Sequence, residues 1–247
     1  MDILVVGAGA MGRWMGQSLV DDGPESVELA FVDTDADAAL DAADAVAGRA
    51  VATDTDETFD GVCVAVPIPA ATATIAEYAD RAERAMFDVT GTMTDPVEAM
   101  REHAPGCERL SLHPLFAPEN EPGNLPVVVD ESGPVTDAVR DALHDRGNEL
   151  FETTAAEHDE AMETVQARTH TAVLAYVLAA EEVDDRFHTP ISADLQSLSE
   201  QVTDGEARVY GDIQAAFDGA DDVAAAARRI ADADMEAFER LYADAGE

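Results

Sequence analysis

An apolar strand that runs directly into a glycine-rich turn within the first dozen residues constrains this chain more than any other feature. Asp2–Val6 reads as the strand, Gly7-Ala8-Gly9-Ala10-Met11-Gly12 follows with the spacing G-x-G-x-x-G, and Met11–Val20 carries a helical apolar pattern. Gly7 permits the tight turn, Gly9 lets the backbone approach a pyrophosphate, and Gly12 lets helix pack on strand. The N-terminus of the helix, with Ala10 and Met11 in its first turn, then faces phosphate oxygens. Asp33 closes the next strand 21 residues after Gly12, where a carboxylate accepts hydrogen bonds from an adenosine ribose.

Strands and helices keep alternating beyond this unit. Strands are expected at Val27–Val32, Gly61–Val66, Met86–Val89, Arg109–Leu112 and Val127–Asp130. Helices are expected across Asp35–Val46, Ala70–Glu83, Asp95–His103 and Val135–Arg146. Parallel neighbours need crossover helices, so the pattern predicts an α/β Rossmann domain with a doubly wound parallel sheet over residues 1–152. An all-helical domain is expected over 153–247, with Ala155–Glu182 one unbroken helix and further helical segments near Ile191–Val202, Glu206–Phe217 and Asp221–Ala243. Ala-rich apolar faces on these segments predict a homodimer formed through the helical domain.

Asp33 favours NAD over NADP, because a ribose 2′-phosphate would meet like charge there and neither Thr34 nor Asp35 compensates it. The strand end at Val66-Pro67 resembles the segment that borders the nicotinamide half in such domains.

The chain holds 53 Asp+Glu against 14 Lys+Arg, a formal net charge of −39, and every cation is arginine. A surface of this sign repels nucleic-acid phosphates and anionic lipid, so neither is expected as a partner. Carboxylates without lysine are the composition expected of a halophile's protein, where salt screens the self-repulsion. No apolar run is long enough to span a bilayer and no signal segment is visible, so the reading is cytoplasmic. Cys63 and Cys107 have no metal-like spacing; they are read as buried spectators, and no metal site is expected.

With no lysine, any hydride transfer assisted by a catalytic Lys is excluded, leaving His or Tyr to polarise an alcohol. Of six histidines, His103, His144 and His188 sit in polar surroundings. His113 follows a strand and opens His113-Pro114-Leu115-Phe116, at the carboxyl end where parallel sheets bind ligands; it reads either as a catalytic group or as a loop residue capping the strand. His158, Met162, Gln166 and His170 recur four apart on one expected helix face, and Arg168 lies off that stripe.

These pieces together resemble the prephenate/arogenate dehydrogenase family. The matching segments are Gly7–Gly12, Asp33, Val64-Ala65-Val66-Pro67, Asp88-Val89-Thr90-Gly91-Thr92, His113-Pro114-Leu115-Phe116, Glu157-His158-Asp159, Gln166-Ala167-Arg168-Thr169-His170, Glu181-Glu182 and Tyr210-Gly211-Asp212-Ile213. The resemblance implies NAD-dependent oxidative decarboxylation of prephenate to 4-hydroxyphenylpyruvate in tyrosine biosynthesis, with His113 as the catalytic imidazole. It implies His158, Gln166 and His170 lining or supporting the substrate pocket, with Thr90 and Thr92 as hydroxyl donors. The chain departs from the family where a Ser and a Lys are common, at Gly91 and Met93, and where arginines are familiar, at Ala193 and Gln201. Arg168 is the nearest replacement, along with Arg208. Arogenate is the rival substrate; an imine or ketone reductase and a non-catalytic NAD(P)-binding redox sensor are the rival functions on the same scaffold.

Overall fold

In the computed structural model, which describes residues 1–24 and 26–246, the chain divides into two compact units, Met1–Asp159 and Glu160–Glu247. The first unit runs β1 (Asp2–Val6), α1 (Ala10–Asp22), β2 (Glu28–Val32), α2 (Ala36–Ala45), β3 (Arg49–Ala50), β4 (Phe59–Val64), α3 (Ala71–Tyr78), β5 (Ala82–Asp88), α4 (Thr94–His103), β6 (Glu108–Leu112), β7 (Asn124–Glu131), α5 (Pro134–Asp145) and β8 (Glu149–Glu152). The division falls inside α6 (Ala155–Met162) rather than at the 152/153 boundary suggested by the pattern change.

The strands form one sheet in the order β3-β2-β1-β4-β5-β6-β7-β8, parallel except where β7 lies antiparallel to β6. The exception has a local cause: only His113–Gly123 joins β6 to β7, too short for the helical crossover that a parallel neighbour needs. Alternate residues of β1 reach opposite faces, as a strand with covered faces requires. Ile3 and Val5 pack with Trp14 and Leu19 of α1 and with Val139 and Leu143 of α5. Leu4 and Val6 pack with Ile75 of α3 and Met100 of α4. The chain order reverses between β1 and β4, the switch point where such sheets open a crevice at their carboxyl ends. The short strands β3 and β8 were not expected; β8 is half exposed at the sheet edge, without the apolar alternation that marks a buried strand.

The second unit is helical among its described residues: α7 (Thr169–Ala179), α8 (Pro190–Thr203), α9 (Ala207–Ala216), α10 (Ala220–Ala231) and α11 (Met235–Asp244). Two expectations are corrected here. The helix is not unbroken across Ala155–Glu182: Glu163–Arg168 is π-helical and α7 ends at Ala179. The wide turn is tied down by tertiary bonds, Gln214 Nε2 donating to the Ala167 carbonyl at 3.0 Å and Thr169 Oγ1 to the Thr164 carbonyl at 2.9 Å. Asp221–Ala243 is also two helices, because Asp234 caps α11 by accepting from the Ala237 N–H at 2.9 Å.

Candidate active site

Four strand ends at the carboxyl edge of the sheet bring the first unit's predicted residues together. After β1, Gly7 takes φ +103, a left-handed conformation that suits glycine, and a Cβ there would stand 2.3 Å from the Ala65 carbonyl oxygen. A Cβ on Gly12 would lie 1.9 Å from the Gly7 carbonyl oxygen, whereas one on Gly9 would meet nothing within 4 Å. Two of the glycines therefore serve the turn's own packing, and Gly9, exposed with Ala10, leaves open space over the start of α1 where an anionic group fits. Met11 is half-buried behind them, and Val66 and Pro67, also half-buried, follow β4 on the far side of the turn.

Asp33, just past β2, accepts the Ala8 N–H at 2.7 Å through Oδ2 and the Asp35 N–H at 2.9 Å through Oδ1. Burial works against its charge, but the backbone donors of Asp35 and Ala8 outweigh it and hold the carboxyl below its ordinary range. The anion is thus fixed to the glycine turn, with acceptor capacity left for ribose hydroxyls.

His113, just past β6, is buried, and its Nδ1 lies 2.9 Å from Nε2 of His158, also buried. The two rings cross edge to face, with centroids 5.1 Å apart. His158 Nδ1 in turn lies 2.8 Å from Asp159 Oδ1. Asp159 occupies the N-terminus of α4, accepting the Met93 N–H at 3.0 Å on Oδ1 and the Thr94 N–H at 3.0 Å on Oδ2. Burial opposes its ionisation, but His158 and these two N–H groups prevail and keep it a carboxylate.

The carboxylate sets every proton in the row. A carboxylate can only accept, so it takes His158 Nδ1–H, and in the tautomer this favours His158 Nε2 accepts from His113 Nδ1–H. The lone pair of His113 is thereby placed on Nε2, the basic form needed to accept a hydrogen bond from an alcohol or amine. Burial, with His158 adding, pushes the His113 imidazole down to about 3, so it stays neutral across the physiological range.

Thr90 is buried, its hydroxyl within 2.6 Å of Asp88 Oδ1 and 3.0 Å of the Thr92 carbonyl oxygen, while Thr92 is half-buried. In the second unit, Arg168 is engaged by Asp222 at 2.7 Å and Glu163 at 3.3 Å. His170 packs edge to face on Tyr210 with centroids 4.8 Å apart, and Gln166 is half-buried on the π turn. Asp159 was absent from the expected site residues, although it stands directly after His158; adjacency alone does not show that both face one neighbour. Both cysteines are buried free thiols, and no cluster suited to a metal ion occurs among the described residues.

A glycine turn opening a helix and a buried imidazole lie along one sheet edge, the arrangement of a dinucleotide-dependent oxidoreductase. Residues 15–124 match the family described as prephenate dehydrogenase, nucleotide-binding domain. A 4-amino-4-deoxyprephenate dehydrogenase of Streptomyces pristinaespiralis is 33% identical over 236 residues, covering 88% of this chain and 78% of that protein. The chain belongs to the prephenate dehydrogenase family. Its fold is shared with prephenate dehydrogenase from A. aeolicus in complex with hydroxyphenyl propionate and NAD+, at TM-score 0.73 and 15% identity over 98% of this chain and 95% of that one. It is shared also with Synechocystis arogenate dehydrogenase, at TM-score 0.64 and 18% identity over 100% and 98%.

Proposed function

We propose that this protein catalyses the NAD-dependent oxidative decarboxylation of prephenate to 4-hydroxyphenylpyruvate. The observation that carries the reading is the His113–His158–Asp159 row, held at the same sheet edge as the glycine turn. Gly7, Gly9, Gly12 and the start of α1 would hold the pyrophosphate, Asp33 the adenosine ribose, and Val66 and Pro67 would border the nicotinamide. NAD supplies a two-electron acceptor for the hydride. NADP is disfavoured by the charge of Asp33.

The ring carbon bearing the hydroxyl loses hydride, and the ring carboxylate leaves as carbon dioxide with its bond pair entering the ring, which becomes aromatic. The hydroxyl proton need not be lost overall, because the product phenol retains it. His113 therefore acts chiefly by accepting a hydrogen bond from that hydroxyl, raising electron density on oxygen as hydride departs. The family likeness extends the proposal to substrate contact by Thr92, Gln166, Arg168 and His170, each tested by the change in KM of its alanine variant.

A second reading has its own observation. A Cβ on Gly91 would stand 2.9 Å from Ile68 Cδ1 and 3.8 Å from His113 Nε2, so glycine lets Ile68 pack close beside the imidazole. The 33% identical relative is named for a substrate with an amine in place of the hydroxyl, which a hydrogen-bond acceptor on His113 suits equally. Comparing kcat/KM for prephenate, arogenate and 4-amino-4-deoxyprephenate decides among them.

Exposed Leu178, Phe187, Ile191, Met235 and Tyr242 in the second unit support self-association into a homodimer, measurable by light scattering. No helix among the described residues is long and apolar enough to cross a membrane.

The decisive test of the reaction is His113→Asn. Turnover is expected to fall roughly 100- to 10,000-fold with the Kd for NAD unchanged. Unaltered turnover would remove the mechanism.

A further inference from the structure

Asp88 ends β5 inside the same unit, fully buried, and the mechanism above makes no use of it. Its Oδ1 accepts the Thr90 N–H at 3.0 Å and lies 2.6 Å from the Thr90 hydroxyl oxygen. That same hydroxyl lies 3.0 Å from the Thr92 carbonyl oxygen. One hydroxyl proton shared between a carboxylate and a carbonyl bonds each more weakly than it would bond either alone. All three groups are satisfied when Asp88 carries a proton and donates it to Thr90 Oγ1, freeing the Thr90 O–H to donate to Thr92.

The turn fixed in this way is the one that delivers the Met93 and Thr94 N–H groups to Asp159. We propose that Asp88 works as a neutral carboxylic acid, a positioning residue that holds the Thr90–Thr94 turn and through it the Asp159–His158–His113 row, so that losing its proton disarms the site. On ionisation the Thr90 hydroxyl turns wholly to the carboxylate, the Thr92 carbonyl loses its donor, and a second anion faces Asp159.

The groups bearing on Asp88 come from each neighbouring element. Cys63 of β4 is a buried thiol held protonated by burial with Asp88 adding to the effect, Ser111 of β6 is its cross-strand neighbour, and Asp159 of α6 is an anion. Burial is the main force that raises the Asp88 carboxyl to about 7; the Thr90 donors and the Ser111 hydroxyl oppose it, and Asp159 adds to it.

The test has two arms on the full chain. Infrared difference spectra of wild type against Asp88→Asn, without substrate, should show a carboxylic-acid C=O band in the wild type below neutral pH that disappears as pH is raised. Absence of that band, or its persistence in the variant, overturns the proposal. In the kinetic arm, which rests on the reaction proposed above, Asp88→Asn should keep kcat within a few-fold of wild type, since its amide can donate to Thr90 as the acid does. It should also remove the alkaline fall in kcat. A folded variant inactive at every pH, or one with the alkaline limb unmoved, overturns the proposal. If no cyclohexadiene substrate turns over, the reaction fails while the infrared arm still decides the state of Asp88.

Discussion

His113 Nδ1 stands 2.9 Å from His158 Nε2, so the protonation of one imidazole dictates that of the other. With Asp159 an anion at the far end of the row, the favoured tautomer of His113 has Nε2 as its acceptor. Everything expected of this site follows from that direction of hydrogen bonding.

Reversing the direction should reverse the chemistry. In Asp159→Asn, an amide that donates to His158 Nδ1 would place the shared protons on His158 Nε2 and then on His113 Nε2, which could no longer accept. We expect kcat to fall about 100-fold or more, in the manner of an imidazole held in the wrong tautomer, with KM little changed. Steady-state kinetics check this, and equal loss in kcat and substrate affinity would count against it.

The glycine turn separates two kinds of requirement. Gly9→Ala should leave the melting temperature near wild type, because its methyl group meets nothing within 4 Å, yet weaken NAD binding by filling the open space. Gly12→Ala should destabilise the first unit itself, since its Cβ would lie 1.9 Å from the Gly7 carbonyl oxygen. Calorimetry paired with NAD titration distinguishes them.

Asp33→Ala should lower kcat/KM for NAD roughly 10- to 100-fold, the loss of charge-assisted hydrogen bonds to the ribose, and narrow the preference against NADP. A variant that uses both cofactors exactly as the wild type does would remove Asp33 from the cofactor site.

Stability should vary with pH through Asp88. Its carboxyl is raised from 3.8 to about 7 in the folded protein, so the unfolded chain ionises first as pH climbs. The stability associated with this group is complete below about 3.8, declines as pH rises, and is lost on passing about 7. Asp88→Asn should therefore gain on wild type across that window by at most about 1.4 kcal/mol per pH unit, then run level. His113 has the opposite sign: lowered from 6.5 to about 3, its contribution is present above 6.5 and lost as pH falls toward 3. Thermal melts of wild type, Asp88→Asn and His113→Asn across pH resolve the two.

Much of the first unit was legible because its signals are local. A strand, three glycines and a carboxylate at the next strand's end each act within a few residues, and the unbroken apolar run of β1 declares a sheet covered on both faces. The π turn at Glu163–Arg168 was not legible, because no residue there breaks a helix; Gln214, 47 residues on, engages it. Thr90, read as a hydroxyl for substrate, lies inward on Asp88.

The sequence by itself determined the alternating α/β order, the glycine turn, the acid at the end of the second strand, the exclusion of lysine chemistry and the position of His113 at a strand's carboxyl end. Those follow from periodicity and from which side chains can carry a given charge or proton. Tertiary structure alone decided that Asp159 sits on the N–H groups of α4, that His158 bridges it to His113, and that Asp88 lies sealed beneath the turn. Burial and contacts between residues far apart in the chain set where protons reside, and no local pattern encodes them.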